Sequence, residues 1–542
     1  MNAPINSRLT RVIEAHLANS NSRGARAFGF YWTRKSAELA TQLIEEFSEP
    51  ESVILDPFLG SGSTALGSAA STNKRLFVGI ELNEMPLENL KLTLGATPDF
   101  EAYDFSRFED ALAAIAPLYI FDLNDKVFEV SKVIHSVSES RLRPTSFVGR
   151  LGSAKITLSM DNRVEDFREI EKQYVGRIAK FEYRENAYLS PNSRIAVKPG
   201  MQVSDVFGPL AFESLSRVRE STNGSMLFRL VIAASLHLCR LTDSKSQSQF
   251  PYWYPKQEIH EKSVFEIAKK KLAEIKGQLE RGLALGDLEL VSSFSSWQGN
   301  PRHAALLLRG DTTKILPNAI PANSVDLVIT DPPYFDQVAY SEYLKLWEFF
   351  TGFEADLENE IVESSRVGAD KSRKQFLEDL SAAFLQVRKC MKAGSVALIY
   401  FKDSKPQNLH DFIFCLERAG LVYESQTHLA KSSFTYKQNA SQENTVGGDA
   451  IMIFTAGKTG VAIEPVMKAT MEELDQMFLR LLEEYIISNG PSSLTSALDN
   501  RLISALYPTG YLSRIKSANY FSKLASARFA FDPGTRTWSL FK

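Results

Sequence analysis

The segment ITDPPY ends an apolar run with four residues of unusual type: Asp331, Pro332, Pro333 and Tyr334. Adjacent prolines cannot continue a sheet ladder, so the chain is expected to turn there in a stiff corner. The Asp331 carboxylate and the Pro332 carbonyl would then be two fixed hydrogen-bond acceptors, beside a Tyr334 ring on which a flat ring can stack. Phe335 would add a second apolar wall.

Two fixed acceptors suit chemistry on the exocyclic amine of a nucleic-acid base, which is a poor nucleophile because its lone pair is delocalised into the ring. Hydrogen bonds from both N–H groups favour a pyramidal nitrogen and stabilise the positive charge that grows on it during attack. A type I turn in which Asp331 only caps a helix is the alternative interpretation, since proline is common near helix starts.

A second polar segment, LDPFLGSGST, places Gly60 and Gly62 between a predicted strand and a predicted helix. Glycine there permits positive φ and a close approach of the backbone to a ligand. Glu81 ends the next predicted strand, where nucleotide-binding sheets accept hydrogen bonds from ribose hydroxyls. The third glycine of the dinucleotide fingerprint and the lysine of a phosphate loop are missing, so the expected ligand has a ribose without an essential pyrophosphate. S-adenosylmethionine fits that description, and a glycine turn that serves only helix packing is the alternative.

The elements that must position these residues alternate as in a doubly wound α/β sheet. SVILDP and RLFVGIELN are predicted strands around the helix TALGSAAS, and VDLVIT, GSVALIYF and DAIMIFTAG are later predicted strands. Ligands bind at the carboxyl ends of such strands, where the glycine turn and the proline corner both lie. Asp311, upstream of the corner, would accept from the adenine amine of the cofactor or, alternatively, cap the next short helix.

The strand–helix alternation stops near Gly95 and resumes near Gly310, which predicts one α/β domain split by a large insertion. The predicted regions are a first half of the core at 1–95, an inserted target-recognition and helical region at 96–304, a second half of the core at 305–460, and a small helical, winged-helix-like domain at 461–542. Its final hairpin is predicted around Asp532 to Gly534.

The insertion contains two segments whose composition suggests contact with nucleic acid. Residues 131–200 hold thirteen Lys/Arg against eight Asp/Glu, with Tyr174, Phe181, Tyr183 and Tyr188 among them. This stretch either grips phosphates and reads bases or is an ordinary solvated surface. The aromatic segment FPYWYPK, residues 250–256, either lines a path for bases or fills a core.

The proline corner and the glycine turn together resemble the motifs of the amino-methyltransferases that act on DNA bases, whose signature tetrad is Asp-Pro-Pro-Tyr. DPFLGSGST is similar to their cofactor motif and YWTRKSAELATQLIEEF to the helix that often precedes it. The resemblance implies a Rossmann-like methyltransferase fold with Asp331 to Tyr334 as the catalytic tetrad. It also implies S-adenosylmethionine bound by Trp32, Lys35, Asp56, Pro57, Phe58, Gly60, Gly62, Glu81 and Asp311.

An acidic first position in the tetrad is usual for adenine N6 enzymes, whereas cytosine N4 enzymes more often carry serine. DPPYFDQVAYSEYLKLWEFF also resembles bacterial adenine-specific methylases linked to restriction or phage defence. The expected function is therefore site-specific methylation of a flipped adenine in double-stranded DNA, with a separate restriction or defence subunit as a candidate partner. A cytosine N4 enzyme, an RNA guanine N2 enzyme, since similar tetrads occur there, and a cofactor-binding specificity subunit without turnover stay open. The sequence of the cofactor motif is typical of enzymes in which it follows the catalytic motif, but here it comes first, so the resemblance implies no recognition code.

Composition limits the other classes of function. The net charge of −3 means that any basic surface for DNA must be local. Three widely spaced cysteines favour a reducing cytoplasm, and no apolar run reaches the roughly 20 residues of a membrane span. The histidines have no spacing typical of a metal site.

Overall fold

The structure of the chain is a computed structural model. It describes residues 4–18, 28–29, 31, 34–95, 104–138, 141–182, 184–192, 197–242, 258–282, 288–299, 302–335, 339–364, 371–430, 449–457 and 464–541. No helix within these ranges is long and apolar enough to cross a membrane.

Strands and helices alternate in both halves of the chain. The strands are β1 Val53–Asp56, β2 Leu76–Glu81, β3 Ile120–Leu123, β4 Lys126–Ser138, β5 Arg141–Leu151, β6 Ala154–Ser159, β7 Ile259–Lys262, β8 Glu289–Leu290, β9 Ala304–Arg309, β10 Val325–Thr330, β11 Met391–Phe401, β12 Leu421–Leu429, β13 Asp449–Ala456, β14 Phe529–Asp532 and β15 Thr537–Leu540. The helices are α1 Ile5–Ala18, α2 Ala37–Phe47, α3 Ser63–Ala69, α4 Glu84–Thr93, α5 Phe105–Ile115, α6 Val164–Ile178, α7 Pro209–Thr222, α8 Met226–Cys239, α9 Val264–Gly282, α10 Phe294–Gln298, α11 Thr312–Ala319, α12 Tyr340–Thr351, α13 Arg373–Cys390, α14 Pro406–Arg418, α15 Met471–Asn489, α16 Leu494–Ala497, α17 Ile503–Leu506 and α18 Tyr520–Ser526.

The central sheet has eight strands in the order β12-β13-β11-β10-β1-β2-β9-β8. The strands from β11 to β8 pair in parallel, whereas β13 is antiparallel to both of its neighbours, β11 and β12. The order reverses at β1, because β2 lies on one side of it and β10 on the other. This mainly parallel sheet confirms the predicted α/β class.

Both faces of the sheet are covered, as a doubly wound sheet requires. Val53 and Leu55 pack in one hydrophobic cluster with α11, α13 and α14, whereas Ile54 packs in another with α1, α2 and α3. The alternation follows from the two-residue period of a strand, which points neighbouring side chains to opposite faces. Because both faces are buried, the strands are almost continuously apolar, and polar side chains gather at their ends.

The chain between α4 and β8 forms an antiparallel sheet, in which β4 pairs with β3, β5 and β7, together with α5 to α9. Its hydrophobic core also includes Tyr343, Trp347 and Phe350 of α12, the helix that follows the proline corner. The insertion is therefore packed directly against the half of the chain that contains the proline corner.

One edge of the central sheet differs from the predicted regions. β8 and the first residue of β9, Ala304, belong to the central sheet, although the prediction assigned them to the insertion at 96–304. A two-residue strand is too short to produce a periodic apolar pattern, so β8 could not be predicted from its residues. The other region boundaries stay a prediction.

The residues beyond 464 form α15 to α18 and a terminal hairpin of β14 and β15. The hairpin lies where the sequence predicts it, and Asp532 Oδ1 accepts a hydrogen bond of 2.8 Å from the Gly534 amide. Phe478 and Trp538 pack in the same hydrophobic cluster as one face of the central sheet. A contact of this region with DNA stays a prediction.

The aromatic residues singled out in the insertion differ in exposure. Tyr174 is buried and its hydroxyl donates a hydrogen bond of 3.2 Å to Glu261, so it serves the core of the insertion. Tyr188 is 75% exposed, and Phe181 packs at the margin of the same core. Tyr183 and residues 250–256 lie outside the described residues.

Candidate active site

The carboxyl ends of β1, β2, β9 and β10 border one cavity, which encloses about 1170 Å³ with the open solvent at its mouth. Ligands bind at this edge in open α/β sheets, at the point where the strand order reverses. The sequence-predicted residues that line the cavity come from both motifs and from the segment before α2; they are Lys35, Asp56, Pro57, Phe58, Gly60, Glu81, Asp311, Asp331, Pro332, Pro333 and Tyr334. The glycine turn and the proline corner therefore face the same space.

Neighbouring strands bring the two motifs together. β1 and β10 are paired in parallel, with Leu55 opposite Val328, so both strands end at the same edge. There the Thr330 hydroxyl donates a hydrogen bond of 2.7 Å to Asp56 Oδ1. Asp56 thus joins the ends of the two strands, and burial raises the pKa of its carboxyl to about 6.

The glycine turn is held against Glu81 by backbone hydrogen bonds. Gly60 has a φ of +52°, and its amide donates to Glu81 Oε2 over 2.9 Å. The other carboxylate oxygen of Glu81 accepts from the Asn83 amide over 3.0 Å. A Cβ on Gly60 would lie 3.3 Å from the ring of Tyr31, so only glycine leaves the narrow space between turn and ring clear.

The carboxylate of Asp331 faces a cation and a phenol. Lys35 Nζ lies 3.4 Å from Asp331 Oδ2, and the Tyr334 hydroxyl donates a short hydrogen bond to Asp331 Oδ1. The next helix, α12, begins at Tyr340 and has Ala339 at its N-cap, so Asp331 does not cap it. The helix-capping interpretation of the corner is therefore wrong.

The ring of Tyr334 is largely buried and meets the Phe401 ring edge-on, with 5.6 Å between their centroids. Burial among carboxylates raises the pKa of the Tyr334 phenol, which is neutral and therefore able to donate. The corner thus offers a fixed phenol and a fixed carboxylate at one wall of the cavity.

Asp311 caps a helix, as one of its two interpretations predicts, while its contact with the cofactor stays a prediction. It is the N-cap of α11, where its Oδ1 accepts from the Thr313 amide over 2.8 Å. It also lines the cavity, opposite the glycine turn. The next residue, Thr312, donates a hydrogen bond of 2.7 Å to the Pro57 carbonyl and so ties this loop to the glycine turn.

Carboxyl groups crowd the cavity and shift one another's titration. Burial is the main cause that raises the pKa of Glu81 to about 7 and that of Glu360 to about 8. Lys35 is the only basic side chain among the described residues that line the cavity, and the carboxylates of Asp331 and Asp449 hold its charge. The cavity therefore contains one buried cation, the Lys35 ammonium, among several acids.

The amino-terminal part of the chain matches a family model. Residues 9–91, which include the glycine turn and Glu81, match the model described as DNA methylase, of the N6 and N4 type. The likeness to DNA methylases is therefore found in the amino-terminal part of the chain, which carries the glycine turn. The match does not distinguish the adenine N6 from the cytosine N4 type.

Two further comparisons concern shorter or weaker likenesses of the chain. YubD of Escherichia coli (strain K12), which is named as a methylase, is 46% identical to it over 52 residues. These residues are 10% of the present chain and 22% of YubD, so the chain spans about a fifth of the length of that relative. The rRNA methyltransferase aviRa from Streptomyces viridochromogenes is 10% identical over 84% of this chain and 94% of its own, with a TM-score of 0.22. A score this low carries no argument, and the fold class rests on the sheet described above.

Two of the predicted site residues, Gly62 and Phe335, do not line the cavity. Gly62, with a φ of +76°, packs against α4, because a Cβ there would lie 2.6 Å from Leu90. Gly62 therefore fits the alternative interpretation of the glycine turn, in which glycine is needed for the packing of a helix. Phe335 is buried against Phe376 of α13, with 5.0 Å between the ring centroids. Trp32 lies outside the described residues.

The sequence did not single out several residues that line the cavity or hold Lys35. Tyr31 and Tyr340 stack with 5.4 Å between their ring centroids, and Tyr400 lies 5.1 Å below the Lys35 ammonium. Asp449 begins β13, whose antiparallel direction brings its first residue to the edge where the parallel strands end. The available signal was an acid at the start of the apolar run of β13. It indicates a site residue only if the strand is known to run antiparallel to its neighbours.

Proposed function

We propose that this chain is a DNA methyltransferase that transfers a methyl group from S-adenosylmethionine to the N6 amine of an adenine in double-stranded DNA. The observation that carries the proposal is the cavity that the glycine turn and the proline corner share. A methyl donor on one wall and an amine on the other wall can meet only if both walls border one space.

The first wall fits a ribose-bearing cofactor. Glu81 Oε2 accepts from the Gly60 amide and retains a lone pair for a ribose hydroxyl, whereas Oε1 accepts from both the backbone and the side-chain amide of Asn83. A Cβ on Gly60 would lie 3.3 Å from the Tyr31 ring, so the bare backbone of Gly60 is the surface that this turn offers to a ligand. Asp311 would accept from the adenine amine, and when bound the cofactor supplies an electrophilic methyl group on a sulfonium.

The second wall fits an amino group on a flipped base. Asp331 would accept one N–H and the Pro332 carbonyl the other, while the Tyr334 ring supplies a stacking surface worth roughly 1–3 kcal/mol in comparable sites. The amine nitrogen forms its bond to the methyl carbon as the bond from that carbon to sulfur breaks. The sulfonium becomes a neutral thioether, and the extra proton on the nitrogen passes to water.

Adenine N6 is the preferred acceptor because the tetrad begins with an acid. A carboxylate accepts from an amine more strongly than a hydroxyl does. Cytosine N4 and the N2 amine of guanine in RNA remain alternatives, since the same pair of acceptors serves any exocyclic amine. The intact tetrad inside the cavity argues against a specificity subunit without turnover.

The insertion is proposed to recognise the DNA target, because its core includes α12, which follows the proline corner directly. A role in restriction-modification or phage defence, with a separate nuclease or defence subunit, extends the same proposal. Methylation of a defined site would protect the DNA of the host from such a partner.

Transfer of tritiated methyl groups tests the proposal. The full chain is incubated with labelled S-adenosylmethionine and, in separate reactions, with unmethylated genomic DNA and total RNA, and the nucleosides are separated after digestion. Label in N6-methyl-2′-deoxyadenosine from DNA is the expected result. Label in N4-methyl-2′-deoxycytidine or in a ribonucleoside from RNA would show that another amine is the acceptor, and absence of label from every nucleoside would overturn methyl transfer and favour the subunit without turnover.

A further inference from the structure

Lys35 bridges two acids that are distant in the chain. Its Nζ lies 3.2 Å from Asp449 Oδ2 and 3.4 Å from Asp331 Oδ2. The side chain of Lys35 is 16% exposed, so the contact is shielded from salt and water. Lys35 stands just before Ser36, the N-cap of α2, and this fixed start of the helix positions the side chain at the cavity wall.

The surroundings of this pair are acidic or phenolic on every side. Asp56 on β1, Glu81 on β2, Tyr400 on β11, Asp449 on β13 and Tyr340 on α12 all line or border the cavity, together with Tyr31, Tyr334 and Glu360. The Tyr400 ring lies 5.1 Å from the Lys35 ammonium and adds a cation–π contact. Among the described residues that face Asp331, only Lys35 brings a positive charge.

Asp331 needs that positive charge for the proposed chemistry. Burial raises the pKa of the Asp331 carboxyl, and the Lys35 ammonium opposes this shift. A protonated Asp331 would have one oxygen occupied by its own hydrogen and would stabilise a growing positive charge poorly. A nearby cation therefore keeps the acceptor charged.

A single tight ion pair would also impede the reaction, because the ammonium would compete with the amine of the base for Asp331. Asp449 removes this conflict, since it accepts from the same ammonium over the shorter of the two distances. The ammonium can stay on Asp449 when the base donates to Asp331.

We propose that Lys35 is a positioning residue that keeps Asp331 charged, and that Asp449 holds the Lys35 ammonium aside while the substrate amine occupies Asp331. The inference rests on the proposed function and deepens it. It differs from the role that the family resemblance implies for Lys35, which is contact with the cofactor.

Substitution of Lys35 and substitution of Asp449 should shift the acid limb of the pH profile of kcat/KM in opposite directions. Lys35→Met removes the cation, so the limb should move to higher pH by about one unit or more. Asp449→Asn removes an anion and leaves Lys35 to Asp331 alone, so the limb should move to lower pH. Asp449→Asn should also lower kcat at neutral pH by about tenfold, because the tighter ion pair withholds the acceptor.

The experiment measures tritiated methyl transfer by the full chain to DNA from about pH 5 to about pH 9. The matched control is Lys392→Met, which breaks a Lys–Asp pair of 2.6 Å with Asp326 at the opposite end of β10 and should leave the profile unchanged. Lys35→Arg keeps the charge and should restore the wild-type limb. Calorimetric titration with S-adenosylmethionine is the parallel readout, and Asp449→Asn should bind it as the wild type does.

The outcomes separate the two levels of proposal. Opposite shifts in the two variants support the inference. An active wild type whose acid limb moves in neither variant, or a Lys35→Met variant that only loses cofactor affinity, would overturn the inference and leave the proposed function standing. A wild type that labels no nucleic acid would overturn both.

Discussion

Asp331 lies in the cavity between a cation and a phenol. It contacts Lys35 and the hydroxyl of Tyr334, two groups that keep a carboxylate charged and oriented. The same carboxylate faces the space in which the proposed acceptor amine must lie. Its role is therefore expected to be confined to the transfer step.

Replacement of Asp331 by alanine tests this role. We expect Asp331→Ala to bind S-adenosylmethionine as the wild type does and to lose methyl transfer by about 10²–10³-fold, the usual cost of one lost transition-state hydrogen bond. Asp331→Asn keeps an acceptor oxygen without the charge and should lose less. Tritium transfer and calorimetric binding measure the two effects, and transfer at the wild-type rate by Asp331→Ala would exclude the assigned role.

The buried acids predict how stability depends on pH. The pKa of Glu81 is raised to about 7 and that of Glu360 to about 8, from ordinary values of 4.5. Each group holds its proton more tightly in the folded chain than in the unfolded one, so it favours folding at low pH, and this contribution is lost as pH rises through the folded pKa. The ligand-free chain should therefore lose stability between about pH 5 and about pH 8.

Glu360→Gln isolates one of these groups, because the amide oxygen can still accept from the Ser341 amide, now 2.9 Å from Glu360 Oε1. We expect this variant to unfold at a higher temperature than the wild type at about pH 9 and at no higher temperature at about pH 5. Glu358→Gln, on the exposed surface of the same segment, is the control. Parallel curves for Glu360→Gln and the wild type across this range would contradict a raised pKa.

Among the elements, the glycine turn contains two glycines whose surroundings differ. A Cβ on Gly60 would enter the cavity beside Tyr31, whereas a Cβ on Gly62 would collide with Leu90 on α4. Gly60→Ala should therefore weaken S-adenosylmethionine binding more, and Gly62→Ala should lower the free energy of unfolding more, by about 1–3 kcal/mol through overpacking. Gly224→Ala is the control, since Gly224 shares the positive φ and its Cβ would meet open space.

Calorimetric titration and thermal unfolding of the three glycine variants give the answer. The control measures the cost of positive φ alone, roughly 1–2 kcal/mol. Equal losses of stability in Gly62→Ala and Gly224→Ala would show that the contact with Leu90 contributes nothing.

The strands that carry the site were predictable because their signals are local. SVILDP and VDLVITDPPY are buried strands followed by polar turns, and each coincides with a strand of the sheet, β1 and β10. The direction of Phe335 was not predictable from its segment, because it depends on α13, which packs Phe376 against it. β8 was not predicted because a strand of two residues is too short to show an alternating apolar pattern.

At the scale of the whole molecule, the site depends on contacts that no local pattern contains. Lys35, Asp331 and Asp449 meet because β13 runs against its neighbours and because α2 starts beside the sheet. The insertion meets the catalytic half through Trp347 of α12, whose indole N–H donates a hydrogen bond of 2.8 Å to the Ala233 carbonyl. The sequence therefore predicts the two motifs and their common edge, while the acids that complete the cavity follow only from the assembled sheet.

The crystal structure of the chain with S-adenosylhomocysteine tests most directly whether donor and acceptor share one cavity. We expect the ribose hydroxyls to contact Glu81, the ligand to lie along the backbone of the glycine turn, and the sulfur to face Asp331 and Tyr334. Binding outside this cavity, or inside it with the sulfur turned away from Asp331, would contradict the account.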